Sequence, residues 1–254
     1  MLFDTHAHYD DDWFDEDRQA LLASMPEKGV GLIVNPGCTL KSSRTAIALA
    51  QTYDHVYAAV GIHPENCHDF VPQHIDTLRE LAKHPKVVAI GEIGLDYYWD
   101  ENPPREFQQQ VLRAQLQLAQ ELKLPVIIHD REAHADTLAI VKEFPSVKGV
   151  FHCYSGSVED ARTLVKMGWM LSFNGALTFK NARKAPDVVA EIPLEHPMIE
   201  TDAPYLAPVP HRGKRCDSGL VYLVAEKIAQ IKGISADEVA RITTENGKRF
   251  FGIE

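Results

Sequence analysis

The sequence predicts an α/β fold, a single-domain (β/α)8 TIM barrel over residues 1–254, on three observations. Short apolar runs alternate with helix-period segments from end to end, no linker or low-complexity tract divides the chain, and several runs end in His, Glu or Asp. A length of 254 residues suits one α/β barrel. An open doubly wound sheet is the structural alternative, but no Gly-x-Gly-x-x-Gly or Walker-type loop supports a nucleotide cofactor. In a barrel all strand C-termini converge on one mouth, so residues carried at several strand ends meet around a point.

The candidate strands lie near residues 2–8, 29–36, 56–63, 86–93, 125–130, 148–153, 169–174 and 196–202. In the first, Leu2-Phe3-Asp4-Thr5-His6-Ala7-His8, alternation puts Asp4, His6 and His8 on one face and Phe3, Thr5 and Ala7 on the other. The third ends at His63. Val87 to Gly91 runs into Glu92, Pro125 to Ile128 into His129, Val147 to Phe151 into His152, and Pro197 to Thr201 into Asp202. Continuous apolar runs of this kind suit strands buried on both faces. After the fourth strand Phe107, Val111, Ala114, Leu118 and Leu122 recur every three or four residues and form one helical stripe. Leu220, Val224, Ile228 and Ile231 repeat the pattern, and Ser235-Ala236-Asp237-Glu238 reads as a capping box opening a last helix through Phe250.

Composition narrows the functional classes. A net charge of −10 argues against a protein that holds nucleic acid by broad backbone neutralisation, although bound divalent cations can supply positive charge in one cleft. Cys38, Cys67, Cys153 and Cys216 are widely separated and read as reduced thiols. No apolar run approaches the ~20 residues needed to span a bilayer. The expectation is a cytoplasmic monomer with no membrane segment.

Imidazoles and carboxylates together suit Zn²⁺, Mn²⁺, Mg²⁺ or a similar divalent ion, and six such groups exceed the needs of one tetrahedral site. Two ions follow, with His6, His8 and Asp202 on one, His129 and His152 on the other, and Glu92 offering one carboxylate oxygen to each. Such a pair, ~3.5–4 Å apart, acidifies and orients water and stabilises the attacking and leaving oxygens of a hydrolysis. Asp202 is placed to take the water's proton. Around this set, His63 is a candidate for touching substrate or a metal ligand, Glu200 and Asp96 for orienting ligands, and Tyr97 with Tyr98 and Trp99 for stacking an unpaired base. His211, Arg212, Lys214 and Arg215 form the one dense basic segment, a candidate phosphate contact beside the mouth. Plainer readings stand beside these: His55, His68, His74, His84 and His134 as solvent-exposed side chains, His196 on the stability face, the aromatics as local packing, and the basic run as a solvated loop.

Through Asp4-Thr5-His6-Ala7-His8, Gly61-Ile62-His63-Pro64, Gly91-Glu92-Ile93-Gly94-Leu95-Asp96-Tyr97, Pro125 to His129, His152-Cys153-Tyr154-Ser155-Gly156 and Glu200-Thr201-Asp202-Ala203-Pro204-Tyr205-Leu206, the chain resembles the TatD-like metal-dependent deoxyribonucleases of the amidohydrolase-type barrels over nearly its whole length. The resemblance implies a metal centre built from His6, His8, Glu92, His129, His152 and Asp202, and hydrolysis of DNA. Confinement to a barrel mouth points to single-stranded or frayed ends, as in a 3′–5′ exonuclease. One departure stands out: the family follows the stretch matching Pro210 to Arg215 with Asn-Glu-Pro, where this chain has Cys216-Asp217-Ser218. The alternative activity on the same ligands is an ester or amide hydrolase, such as a D-aminoacyl-tRNA deacylase, because activated water attacks carbonyl carbon as well as phosphorus. A non-catalytic metal-stabilised binding protein would need the six groups to be structural only, and structural sites are typically closed four-coordinate sets.

Overall fold

The computed structural model describes all 254 residues. Eight strands form one parallel sheet in sequential order: β1 (Leu2–Asp4), β2 (Val30–Pro36), β3 (Val56–Val60), β4 (Val87–Asp96), β5 (Val126–Arg131), β6 (Gly149–Phe151), β7 (Met170–Phe173) and β8 (Pro197–Ile199). The seam between β8 and β1 closes beyond the regular strands. Thr5 N–H donates to Ile199 O at 3.1 Å, Asp202 N–H to His6 O at 2.9 Å and His8 N–H to Ala203 O at 2.7 Å. The expected (β/α)8 barrel is the fold observed.

Nine α-helices surround it: α1 (Arg18–Ser24), α2 (Leu40–Thr52), α3 (Gln73–Leu81), α4 (Arg105–Leu122), α5 (His134–Lys142), α6 (Val158–Lys166), α7 (Lys184–Glu191), α8 (Val221–Lys232) and α9 (Ala236–Phe251). The apolar stripe of α4 buries Val111, Leu112, Leu116 and Leu118 against the sheet, while Ala114 lies off the buried face and Phe107 and Leu122 are only half-buried. Ser235 caps α9 through Glu238 N–H, and Gly252 ends the helix at φ 68°, a left-handed conformation that glycine takes without a Cβ clash. None of the helices is long and apolar enough to cross a membrane.

Two apolar clusters explain why only one end of the barrel is polar. The larger lies between sheet and helices. The smaller takes at least one residue from every strand, among them Phe3, Leu32, Val88, Ile127, Val150 and Met198, and only the barrel axis touches all eight. Phe251, the last residue of α9, and Ile253 just beyond it join it. Apolar side chains thus fill the N-terminal part of the barrel, leaving buried polar groups for the C-terminal mouth.

Several strands end short of expectation, β3 at Val60, β6 at Phe151 and β8 at Ile199 among them, and two further differences bear on the site. Regular β1 stops at Asp4, short of His8: its pairing with β2 runs only as far as Ile33, and beyond it only isolated bonds, such as Ala7 N–H to Val34 O at 3.1 Å, continue. β4 runs three residues past Ile93 to Asp96, since Leu95 and Asp96 pair in register with Asp130 and Arg131.

Candidate metal centre

Glu92, buried in the middle of β4, stands at the centre of five imidazoles. Its Oε2 lies 3.4 Å from Nε2 of both His6 and His8. Its Oε1 lies 3.0 Å from His129 Nδ1, 2.8 Å from His152 Nε2 and 3.4 Å from His63 Nε2. Asp202 Oδ1 completes the Oε2 side, 3.8 Å from His6 Nε2 and 3.7 Å from His8 Nε2. All six proposed ligands are therefore brought together, and His63 stands among them. Asp202 takes a left-handed φ of 58°, tolerated by its short side chain and fixed by its N–H to His6 O and by Tyr205 N–H to its own carbonyl, both at 2.9 Å.

The donor chemistry fits divalent cations. His6 and His8 bring their Nε2 atoms to 3.0 Å, where two lone pairs repel unless a proton or a cation lies between them. Burial, reinforced by the charge on His152, holds His6 down to about 4; burial and His129 do the same for His63. Both are thus neutral donors at pH 7. Burial opposes ionisation of Glu92, but His152, His63, His6 and His129 outweigh it and hold the carboxyl well below its usual range. Burial raises Asp202 to about 6 against the opposing charges of His152 and His8. His129 is lowered by burial but raised further by Asp96 and Glu92, to about 9. No Lys or Arg pairs with any of these carboxylates, so only protonated imidazoles or bound cations balance them. Three donor triads, His6–His8–Glu92, His6–His152–Asp202 and His63–Glu92–His129, each hold their atoms within 4.8 Å of one another. Metal binding releases protons from such groups as it takes their lone pairs.

Two carboxylates orient the ring. Asp96 Oδ2 is 2.9 Å from His129 Nε2, so Asp96, expected beyond the strand end, is instead its last residue and holds a ligand directly. Glu200 Oε1 lies 3.5 Å from His152 Nδ1, without hydrogen-bond alignment, and accepts from Cys153 N–H at 2.7 Å; Ser172 Oγ–H donates to its other oxygen. Asp4, expected on the face of His6 and His8, does not join them. Its carboxylate accepts from Thr201 N–H at 2.9 Å, Thr201 Oγ–H at 2.5 Å and His6 N–H at 3.3 Å, bracing the seam from behind.

The other candidates fall outside the ligand cluster. Tyr97 turns its hydroxyl to Asp136 at 2.9 Å, accepts from Gln109 at 2.9 Å and lies under Arg105, which is local packing. Arg215 forks onto Asp17 at 2.9 and 2.6 Å, and Arg212 lies 4.2 Å over the Phe179 ring. His211 is half-buried and Lys214 exposed, and neither contacts the ligands. In the departing stretch, Ser218 N–H donates to the Tyr9 hydroxyl and Tyr9 O–H to Ser218 Oγ, both at 2.9 Å; a proline could make neither bond. Sequence reasoning missed Cys38, whose Sγ lies 3.9 Å from His8 Nδ1 and 3.8 Å from Glu92 Oε2. Its position two residues after the second strand was the available signal.

Comparison with known proteins agrees with this geometry. The chain is 45% identical over its whole length to the uncharacterized metal-dependent hydrolase YabD of Bacillus subtilis, all of which it covers. It is 38% identical to the uncharacterized metal-dependent hydrolase YcfH of Escherichia coli, matching 100% of this chain and 97% of that one. The crystal structure of YjjV, a TatD homologue from Escherichia coli, superposes with a TM-score of 0.93 at 32% identity, covering 100% of this chain and 98% of the other. Residues 3–252 match the family described as TatD related DNase, and the chain belongs to that family.

Proposed function

We propose that this protein is a metal-dependent hydrolase that cleaves phosphodiester bonds of DNA, at single-stranded or frayed ends, with the 3′–5′ direction expected of an exonuclease. The observation that carries the reading is the division of Glu92: one oxygen faces His6, His8 and Asp202, the other His63, His129 and His152. That arrangement offers two adjoining donor sets with a shared carboxylate. The relatives' description as metal-dependent hydrolases and the family's as DNases support the same reading.

His6, His8 and Asp202 would hold one divalent ion, His129 and His152 the second, and Glu92 both. When bound, such ions supply Lewis acidity to a phosphoryl oxygen and acidify water at the site. The protein's own groups do the rest. Asp202, beside His6 and His8, would accept the proton from the attacking water and is suited to it because burial raises its carboxyl to about 6. Asp96 fixes the ring of His129, and Glu200 stands beside that of His152. The apolar barrel floor keeps the cluster in a low-dielectric setting, which strengthens each of these interactions.

Cleavage of single-stranded DNA labelled at its 3′ or 5′ end, with Mg²⁺ or Mn²⁺ and with chelator, tests the reading and shows polarity. Metal-dependent shortening from the 3′ end is expected. Intact DNA with folded, metal-loaded protein would overturn the assignment and move it to acyl substrates.

A further inference from the structure

The mouth carries a second built feature beside β4 and β5. Arg131, the last residue of β5, pairs in register with Asp96 and lies two residues beyond His129. Its carbonyl accepts from Tyr97 N–H at 2.9 Å, so the ladder continues past the strand ends and fixes the backbone there. The side chain is exposed, and its guanidinium makes neither an ion pair nor a hydrogen bond. It rests instead 3.9 Å from the ring centre of Tyr98 and 5.3 Å from that of Trp99. Those rings meet edge to face, 4.7 Å apart at 87°, and stay 50% and 45% exposed. Arg18, Arg79, Arg113, Arg162, Arg215 and Arg241 pair with carboxylates, whereas Arg131, like Arg105 over Tyr97 and Arg212 over Phe179, has only aromatic rings beneath its guanidinium; of these three, Arg131 alone follows a metal-centre histidine by two residues on the same strand.

Aromatic faces hold a cation in place without neutralising it. The feature thus presents positive charge to an anion and open ring surface to a planar group, side by side. Inorganic phosphate would need no rings, and a flat apolar ligand would need no guanidinium. A nucleotide with an unpaired base uses both. Asp96 ties the feature to the metal centre: while Oδ2 holds His129, Oδ1 accepts from Tyr98 N–H and from Asn102 Nδ2, both at 3.0 Å. One carboxylate therefore sets a ligand ring and the loop that carries the aromatic pair.

We propose that Arg131, Tyr98 and Trp99 form a nucleotide clamp that grips the phosphate and the unpaired base next to the bond being cut; the assignment rests on the phosphodiesterase reading above. The test is fluorescence anisotropy with a cleavage-resistant phosphorothioate single strand in Mn²⁺, against the same strand built of abasic tetrahydrofuran units. Trp99→Ala should weaken the base-bearing strand about tenfold and leave the abasic strand unchanged. Arg131→Gln should weaken both, and Trp99→Phe should restore binding. In cleavage of the unmodified strand the loss should fall on KM, with kcat unchanged and Mn²⁺ affinity by calorimetry unchanged. Equal binding of both strands by wild type and Trp99→Ala would overturn the clamp, as would loss of Mn²⁺ affinity in either variant, which would place their effect on His129. A strand held by the clamp yet uncut in its unmodified form would sink the phosphodiesterase reading while leaving the clamp standing.

Discussion

On the Oε2 side of Glu92, His6 and His8 come from a single segment at the barrel seam; on the Oε1 side, His63 follows β3, His129 lies in β5 and His152 follows β6. The two sides are also held differently. His6 Nδ1 has no partner and His8 Nδ1 only the Cys38 thiol at 3.9 Å, so the seam's backbone bonds place these rings. On the other side His129 rests on Asp96, His152 lies beside Glu200, and His63 Nδ1 accepts from Glu65 N–H at 3.2 Å. The first half is positioned by main chain, whereas the second adds the Asp96 carboxylate on His129 and the Glu200 carboxylate beside His152. Changes at the seam should therefore disturb the first half, and changes to supporting carboxylates the second.

The most severe way to break the comparison is to remove what the halves share. Glu92→Ala should cost both ions together and roughly 10⁴-fold in kcat/KM, the equivalent of losing several kcal/mol of Lewis-acid stabilisation. Metal content by mass spectrometry decides it, because retention of one full equivalent would show that Glu92 does not serve both sides. Next comes Asp202→Asn, which keeps the shape of the Oε2 side but removes its proton acceptor. A loss of about 10³-fold in kcat with little change in KM is expected, within the usual range for general acid–base groups. If kcat survives, the proton goes elsewhere.

Asp4 tests the seam itself. Burial, opposed by hydrogen bonds from Ser218, Thr201 and His6, raises its carboxyl from 3.8 to about 7. The folded state therefore binds the proton more tightly than the unfolded chain does. Stability from this group is fully present below about pH 4 and is lost as pH rises through about 7, amounting to at most about 4 kcal/mol. Asp4→Asn should flatten that part of the dependence in the metal-free protein, as read by Tm from pH 4 to 8. An unchanged slope would mean that Asp4 is ionised in the fold.

The supporting carboxylates give the sharpest contrast, at smaller magnitude. Asp96→Asn and Glu200→Gln should each weaken one of two Mn²⁺ binding steps by about 10–100-fold and spare the other. Isothermal titration that showed both steps weakened equally would erase the distinction between the halves.

The candidate ligands were legible because each ends or follows an apolar run, and a parallel barrel delivers such positions to one mouth. What escaped notice depends on contacts far along the chain. The length of β4, which puts Asp96 inside the strand rather than beyond it, follows from pairing with Asp130 and Arg131 on the next strand. Asp4 looked like a companion of His6 because simple alternation holds only while the ladder is regular, and β1 ends there. Arg131 gave no local sign of its contact with Tyr98 and Trp99, since those rings lie more than thirty residues earlier in the sequence.

Arg215 makes the same point in reverse and gives the smallest effect. Within its basic run it reads as a phosphate contact, yet its fork is occupied by Asp17, and one of its nitrogens also donates to Trp13 O at 2.7 Å. Both charged groups are about a third or more exposed, where solvent and salt leave little net gain from an ion pair. Arg215→Ala should lower Tm by less than about 3 °C. Because the guanidinium is already committed, strand binding should keep most of its strength, unlike the result for Arg131→Gln. A loss of strand affinity as large as that of Arg131→Gln, with Tm unchanged, would mean that Arg215 leaves Asp17 for a phosphate and that the β8 side of the mouth holds substrate as directly as the β5 side.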